Sequence, residues 1–303
     1  MPRFETILLT GINGQVGHAL QSKLATLGNV IGLDRSQLDL TDTSAIRRCI
    51  QQIKPDLIVN PAAYTAVDKA ESEPELAMAI NGVAPGIIAE EAKKLGALLI
   101  HFSTDYVFDG AKATPYVETD ITNPLSVYGK TKLAGEEAIR AADTPHMIFR
   151  TSWVYGSYGK NFLRTILRLA MERDSLRIVG DQMGAPTSST SIAETTVASL
   201  LNWHKDKSGT YHLTNSGDTS WYGFAQAIIE QYSFLQKLNG WSALRTAIEH
   251  VEAISTADYP TPAHRPANSR MDCSKLSQIF DIELEDWRSA LVGVMQTPEF
   301  ITG

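Results

Sequence analysis

Short apolar runs alternate with longer amphipathic stretches through the first half of the chain, and this limits the fold more than any other feature. Thr6-Ile-Leu-Leu-Thr10, Asn29-Val-Ile-Gly-Leu33, Leu57-Ile-Val-Asn60, Leu98-Leu-Ile-His-Phe102 and Met147-Ile-Phe-Arg150 read as strands. Between the first two, Gln15 to Leu27 carries apolar residues at Val16, Ala19, Leu20, Leu24 and Leu27, the spacing of one helix face. Ser44 to Ile53, with Thr43 or Ser44 near its start, a long stretch from Glu75 to Leu95, and about Val127 to Ala142 read as helices too. A strand with no polar alternation is buried on both faces. A parallel sheet covered by crossover helices provides that burial.

The first strand runs into Thr10-Gly-Ile-Asn-Gly-Gln-Val-Gly17, and a helix follows at once. Gly11, Gly14 and Gly17 let the backbone turn tightly and approach a pyrophosphate, whose charge meets the helix N-terminus. A bare glycine triplet is a weak signal; its place between strand and helix favours a nucleotide site over a glycine-rich turn that binds nothing. The expected fold is therefore α/β, a Rossmann-like doubly wound parallel sheet. Asp34 follows the second strand, about 20 residues past the loop, where an acid accepts from the adenosine ribose hydroxyls. Arg35 comes next and can pair with a 2′-phosphate, so NADPH and NADH both stay open. Asp39 and Leu40 can line the adenine pocket, with a turn or cap role as the alternative for Asp39.

The second half changes character. Tyr155 to Gly159 is rich in glycine and tyrosine, and Asp181 to Thr190 reads as a loop of small and polar residues. Helices are expected over about Asn161–Glu172, Ile192–Trp203 and Tyr222–Tyr232, and a short strand over Gly209–Leu213. Pro260, Pro262 and Pro266 make Thr256–Arg270 a loop. The expected division is an NAD(P)-binding domain over 1–155, to which 191–220 returns. A smaller mixed α/β C-terminal substrate lobe takes 156–190 and 221–303.

Composition excludes some functions. A net charge of -7 argues against a general grip on nucleic acid, which needs a basic face. No apolar stretch approaches the ~20 residues of a membrane span. The start of the chain, Met-Pro-Arg-Phe-Glu-Thr-Ile-Leu-Leu-Thr-Gly, has no apolar core of signal-peptide length, so a cytoplasmic location is expected. Cys49 and Cys273 lie outside any metal-ligand spacing and read as buried thiols.

Tyr128-Gly-Lys-Thr-Lys132 opens a helix, and residues four apart share a helix face. A Lys132 ammonium beside the Tyr128 phenol is expected to lower its pKa toward the operating pH and make it a usable acid for a carbonyl oxygen. Lys132 can also hold nicotinamide ribose hydroxyls. This helix follows a strand ending at Ser103, Thr104 and Asp105, the sheet edge where sites of open parallel sheets gather. Thr104 can hydrogen-bond the substrate oxygen, or be an ordinary strand-end hydroxyl. The spacing of Lys130 puts it off the shared face, and it reads as solvated.

Longer strings carry a resemblance. The glycine loop, Asn60-Pro-Ala-Ala-Tyr-Thr-Ala-Val-Asp-Lys-Ala-Glu71, Ser103-Thr-Asp-Tyr-Val-Phe108, the Tyr128–Lys132 string and Arg150-Thr-Ser-Trp-Val-Tyr155 resemble the extended short-chain dehydrogenases/reductases. Asp181-Gln-Met-Gly-Ala-Pro-Thr187 and Pro262-Ala-His-Arg-Pro-Ala-Asn-Ser-Arg270 are similar to the branch that acts on a dTDP-linked 4-keto sugar. The resemblance implies reduction of dTDP-4-dehydro-β-L-rhamnose to dTDP-L-rhamnose by hydride from NADPH or NADH, the last step of dTDP-rhamnose biosynthesis. It implies Tyr128 as acid, Lys132 as its partner and Thr104 as carbonyl orienter. It implies cofactor contacts from Gln15, Val16, Asp34, Asp39, Leu40, Ala63, Tyr64, Thr65 and Phe102, and it turns Asp105 and Trp153 toward the sugar. Without the resemblance, Trp153 reads as a core aromatic. Asn268 and Arg270 either meet the nucleotide end or brace their loop.

Some members of the family dimerise through a magnesium site built from glutamates. Gln15 and Thr190 stand where such glutamates are expected, and neutral groups are poor ligands for a hard cation. No metal is expected, and the chain is expected to be a monomer or a homodimer without that interface. Another nucleotide-sugar reductase, epimerase or dehydratase of the same fold is the alternative. A 4,6-dehydratase needs a second carboxylate after the threonine-aspartate pair, and Tyr106 stands there instead. A non-catalytic regulatory subunit like the methionine adenosyltransferase β-subunit is the other reading; the complete set of Thr104, Tyr128 and Lys132 counts against it.

Overall fold

The computed structural model describes residues 3–302. Its centre is a sheet of parallel strands: β1 (Thr6–Thr10), β2 (Asn29–Leu33), β3 (Leu57–Asn60), β4 (Leu98–Thr104), β5 (His146–Thr151) and a last strand at Gly209–His212. Their spatial order is Gly209–His212, β5, β4, β3, β1, β2, and every pairing is parallel. The chain therefore leaves β1 toward β2 and then crosses to β3 on the other side. The switch point lies between the carboxyl ends of β1 and β3, where open α/β sheets bind ligands.

The apolar strands are buried on both faces, as their composition requires. Ile7 and Leu9 enter one core, with Leu57, Val59, Ile100 and Phe149. Leu8 enters the opposite core, with Ile58, Leu99 and Ile148. Alternate residues of each strand thus feed cores on opposite faces. Helix α1 (Gln15–Leu24) covers the first face with helix Ser189–Leu201; α2 (Thr43–Ile53), Ala84–Leu95 and Val127–Ala142 cover the second. A third core gathers Leu163, Phe224, Ile228, Trp287 and Leu291 and forms a smaller lobe. Leu276 and Phe280, late in the chain, pack back into the first core of the sheet.

Some elements differ from their sequence pattern. The stretch from Glu75 to Leu95 is not one α-helix. A π-helical turn at Ala79–Val83 interrupts it between Pro74–Met78 and Ala84–Leu95. Helix α2 starts at Thr43 as expected, and Asp42 before it is the cap, its carboxylate accepting from the Ala45 amide at 2.8 Å. The helix read as Tyr222–Tyr232 runs from Trp221 to Asn239. Strands Leu176–Val179 and Val251–Ile254 pair in parallel across a long separation in sequence. Short strands at Met183–Gly184 and Thr187–Ser188 lie in the run read as loop. Cys49 and Cys273 are both free and only partly buried.

Candidate active site

The carboxyl edge of the sheet opens into a cleft of about 860 Å³. The glycine loop forms its floor. Gly11 has φ +60 and lies so close to Ala62 that a Cβ there would sit 2.9 Å from that residue, and a Cβ at Gly17 would run into the Gly11 carbonyl oxygen. The backbone of β1 and the start of α1 therefore approach each other with no side chain between them, leaving the helix N-terminus open to an anion. These residues fit a dinucleotide. At the rim, Asp34 accepts from Asn13 Nδ2 (3.1 Å), Ser36 N (2.8 Å) and Ser36 Oγ (2.6 Å). The Ser36 bonds hold its carboxyl below the usual range, so it is an anion at any working pH. Exposed Arg35 stands beside it on the same cleft.

Asp39 takes the turn role weighed above: it accepts from Thr41 N and Thr41 Oγ1 at 2.9 Å, while still lining the cleft. Leu40 is buried in the second core and also reaches the cleft. Ala63, Tyr64 and Thr65 form a wall held from behind by Asn81. That side chain accepts from Tyr64 N (2.8 Å) and donates to Tyr64 O (3.0 Å) and Thr131 Oγ1 (3.2 Å). Asn81 sits in the π-helical turn, which aims the amide sideways into the loop. The sequence reading missed it, since the apolar periodicity runs straight through this point.

The expected catalytic residues lie where β4 meets helix Val127–Ala142. Ser126 caps that helix, accepting from Gly129 N at 3.1 Å, so Tyr128 is in its first turn. Tyr128, Lys132 and Glu136 follow at four-residue steps on one face. Thr104 Oγ1 donates to Asp105 Oδ1 at 2.9 Å and also meets the Tyr128 hydroxyl. Burial pushes the Tyr128 phenol up to about 12, partly opposed by that Thr104 bond. The expected lowering by Lys132 is not found. Lys132 Nζ instead donates to Phe102 O at 2.6 Å and lies 3.2 Å from His101 Nε2. Burial lowers the Lys132 ammonium to about 8, against the pull of Glu136. Glu136 is itself fully occupied, accepting from Ser103 Oγ (2.5 Å), Arg150 Nε (2.9 Å) and Nη2 (2.7 Å), and Arg140 Nη1 (3.1 Å).

Asp105 is 3% exposed, and burial raises its carboxyl to about 6. Its Oδ2 has no hydrogen-bond partner among the described residues, and neither does Thr151 Oγ1, on β5 in register with Thr104. Both residues line the cleft. Two buried polar atoms lacking partners at one place suit a ligand rich in hydroxyls. Trp153 closes that side. Its φ is +48, a region bulky side chains avoid. Its indole stacks on Trp221 (centroids 3.6 Å, planes 12°) and lies flat on Gly184. Trp221, Thr151 and Gly184 were not picked out from sequence as site residues.

The cleft thus brings together every expected catalytic and cofactor residue, with Asp105 and Trp153. It does not bring in Asn268 and Arg270. Asn268 Nδ2 donates to Lys112 O (2.6 Å) and Thr114 O (2.9 Å), and its Oδ1 accepts from Arg270 Nε (2.9 Å). Arg270 Nη2 donates to Ala113 O at 2.5 Å. These bonds brace two loops, and only Ser269 between them reaches Asp105. Gly159, Lys160 and Asn161 join the cleft unexpectedly, tied to the glycine loop by an Asn161 Nδ2 to Gln15 Oε1 bond at 3.0 Å. Lys130 is exposed. Among the described residues no helix is long and apolar enough to cross a membrane, and no group of three or more His, Cys, Asp or Glu side chains is placed to hold a metal ion.

Comparison with known proteins agrees with this geometry. Residues 5–299 match the family model described as the RmlD substrate binding domain. A dTDP-4-dehydrorhamnose reductase of Burkholderia thailandensis is 46% identical over 291 residues, covering 94% of this chain and 96% of that protein. The reductase of the same name from Escherichia coli K12 is 46% identical over 289 residues, covering 93% and 94%. Among solved structures, dTDP-4-dehydrorhamnose reductase of Bacillus anthracis in complex with NADP superposes with a TM-score of 0.88 at 33% identity, covering 97% and 99%.

Proposed function

The chain belongs to the RmlD substrate binding domain family, and on that premise we propose that its cleft reduces the 4-keto group of dTDP-4-dehydrorhamnose to give dTDP-rhamnose. The observation that carries this reading is the convergence of Thr104, Tyr128 and Lys132 beside a glycine-loop nucleotide site in one cleft. NADPH or NADH, bound along Gly11–Gly17 and the Asp34 rim, supplies the hydride. Thr104 and Tyr128 hydrogen-bond the carbonyl oxygen and fix its orientation. At neutral pH the Tyr128 phenol, raised to about 12, is fully protonated, which suits a donor of a proton to the far more basic alkoxide that reduction creates. Lys132 holds the ribose hydroxyls and places positive charge under the phenolate left behind. Asp105 Oδ2 and Trp153 take the sugar.

No second carboxylate stands after Asp105, which disfavours elimination; Tyr106 packs edge-on against Tyr128 there at 5.4 Å. We place the enzyme in the cytoplasm as a monomer or a homodimer without a magnesium-linked interface. Residues 1–155 and 191–220 form the NAD(P)-binding domain in this reading; 156–190 and 221–303 form the substrate lobe, except that Leu276 and Phe280 pack back into the core of the sheet. The test follows NADPH and NADH oxidation with dTDP-4-dehydrorhamnose. Wild type turns over, and Tyr128→Phe loses ~10²-fold or more, the scale of one general acid. Equal rates for the two proteins would refute the mechanism.

A further inference from the structure

A chain of buried side chains runs beneath the cleft and ends on Lys132. Thr10 Oγ1, at the end of β1, donates to Asn60 Oδ1 at 2.6 Å. Asn60 Nδ2, at the end of β3, lies 3.2 Å from His101 Nδ1. His101 Nε2, on β4, lies 3.2 Å from Lys132 Nζ. Thr10, Asn60, His101 and Lys132 are each no more than 2% exposed. The chain crosses the switch point of the sheet, joining the glycine loop to the lysine of the reacting site.

We propose that His101 is a positioning residue for the reduction: a neutral imidazole, clamped by Asn60 and Thr10, that fixes Lys132 Nζ and changes from donor to acceptor when Lys132 gains a proton. The proposal rests on the reading of Lys132 given above. Thr10 occupies the Asn60 oxygen, so the Asn60 amide donates to His101 Nδ1. A neutral imidazole accepting at Nδ1 carries its proton on Nε2 and offers it to Lys132. An amine nitrogen accepts that proton; an ammonium cannot. When Lys132 is charged, the imidazole must move its proton to Nδ1, Asn60 must turn its oxygen inward, and Nε2 then accepts from Nζ. Thr10 serves both arrangements because a hydroxyl is donor and acceptor.

The remaining groups around the pair do not replace this function. Glu136 on the same helix is saturated by Arg140 one turn further along it and by Ser103 and Arg150 of the neighbouring strands. Tyr128 and Asp105 face the cleft side. Phe102 O, the other partner of Nζ, is an acceptor only. Burial and the Lys132 charge hold His101 well below the ordinary histidine range, so it stays neutral throughout. The charge-assisted bond to the ammonium is the stronger of the two arrangements, so the net effect is to keep Lys132 protonated.

Two measurements test this. In wild type with ¹⁵N-labelled histidine, the His101 ring shifts should exchange Nδ1–H for Nε2–H character as pH passes about 8, where Lys132 loses its proton, and the change should vanish in Lys132→Met. Flat shifts through that range overturn the coupling whatever the enzyme does in turnover. In the pH profile of kcat/KM, His101→Leu should move the alkaline limb down by about one unit, a tenfold loss on that limb. His101→Gln, whose amide also offers either a donor or an acceptor, should restore the wild-type limb. A His101→Leu profile that is lower at every pH but unshifted, or a Gln variant that fails to restore the limb while folding normally, overturns the proposal. Loss of turnover in wild type itself would refute the reductase reading and leave the nuclear magnetic resonance result standing by itself.

Discussion

Gly184→Ala should weaken sugar binding while leaving the cofactor untouched. Gly184 has an ordinary backbone conformation, so alanine brings no strain of its own; the effect is purely one of space. An added Cβ would lie 2.6, 2.8 and 2.9 Å from three atoms of the Trp153 indole. The indole has little room to shift, because Trp221 stacks on it at 3.6 Å and Phe162 lies against Trp221 at 4.6 Å. Either the Trp153–Trp221 stack slides or the Met183–Gly184 strand moves. Overpacking of this kind costs about 1–3 kcal/mol. If the shift falls on the indole, which the proposal assigns to the sugar, this becomes a roughly 5–150-fold rise in KM for dTDP-4-dehydrorhamnose. The assay is steady-state NADPH oxidation, varying each substrate in turn, with a Kd for NADPH from nucleotide fluorescence. KM for the sugar should rise with the NADPH Kd unchanged. An unchanged sugar KM in a folded Gly184→Ala protein would refute the assignment of Trp153 to the substrate. An equal loss of both affinities would show that the cleft as a whole, and not the indole, had moved.

Other predictions follow from the buried charges. Glu136→Gln strands the Arg150 guanidinium at the end of a buried ion pair and should destabilise by about 3–5 kcal/mol, a fall in Tm on the order of 10 °C. Glu136 is held below its ordinary pKa mainly by Arg150, so its contribution is present above the unfolded carboxyl pKa and lost as pH falls; the gap between variant and wild type in urea melts should close in acid. Asp105 has the opposite sign. Its folded pKa of about 6 lies above the ordinary value, so stability is present below pH ~4 and lost as pH rises through about 6. Asp105→Asn should therefore raise Tm at pH 7 by an amount that disappears in acid, while kcat/KM falls; a variant less stable than wild type at pH 7 would refute the burial argument.

Much of this site was legible because its signals are local. Strand burial on both faces follows from apolar runs without alternation. The helix over Val127–Ala142 has a serine cap before it and no proline within it, and the structure gives it the expected bounds. What escaped the sequence depends on close neighbours distant in the chain. Asn81 matters because a π-helical turn aims it at Tyr64. Asn268 and Arg270 are polar residues in a proline-rich loop, and only the loop at Lys112–Thr114 packed beside them turns them into braces. The far end of helix Trp221–Asn239 was missed because Phe234 and Leu238 are exposed there and blur the apolar period.

The sequence by itself determined the layering of this protein, its nucleotide loop, and the placement of Tyr128 and Lys132 on one helix face. Each of these follows from the geometry of a single strand, turn or helix. Tertiary structure alone decided what those residues are to one another. Lys132 was expected to lower the Tyr128 phenol, yet a buried ammonium seeks the best acceptors within reach. These are the Phe102 carbonyl and His101 on a strand some thirty residues earlier. Burial, a property of the whole packed edge, then raises the phenol and lowers the ammonium together. Residue spacing sets which side chains can meet; desolvation and the competing partners around them set their protonation and direction.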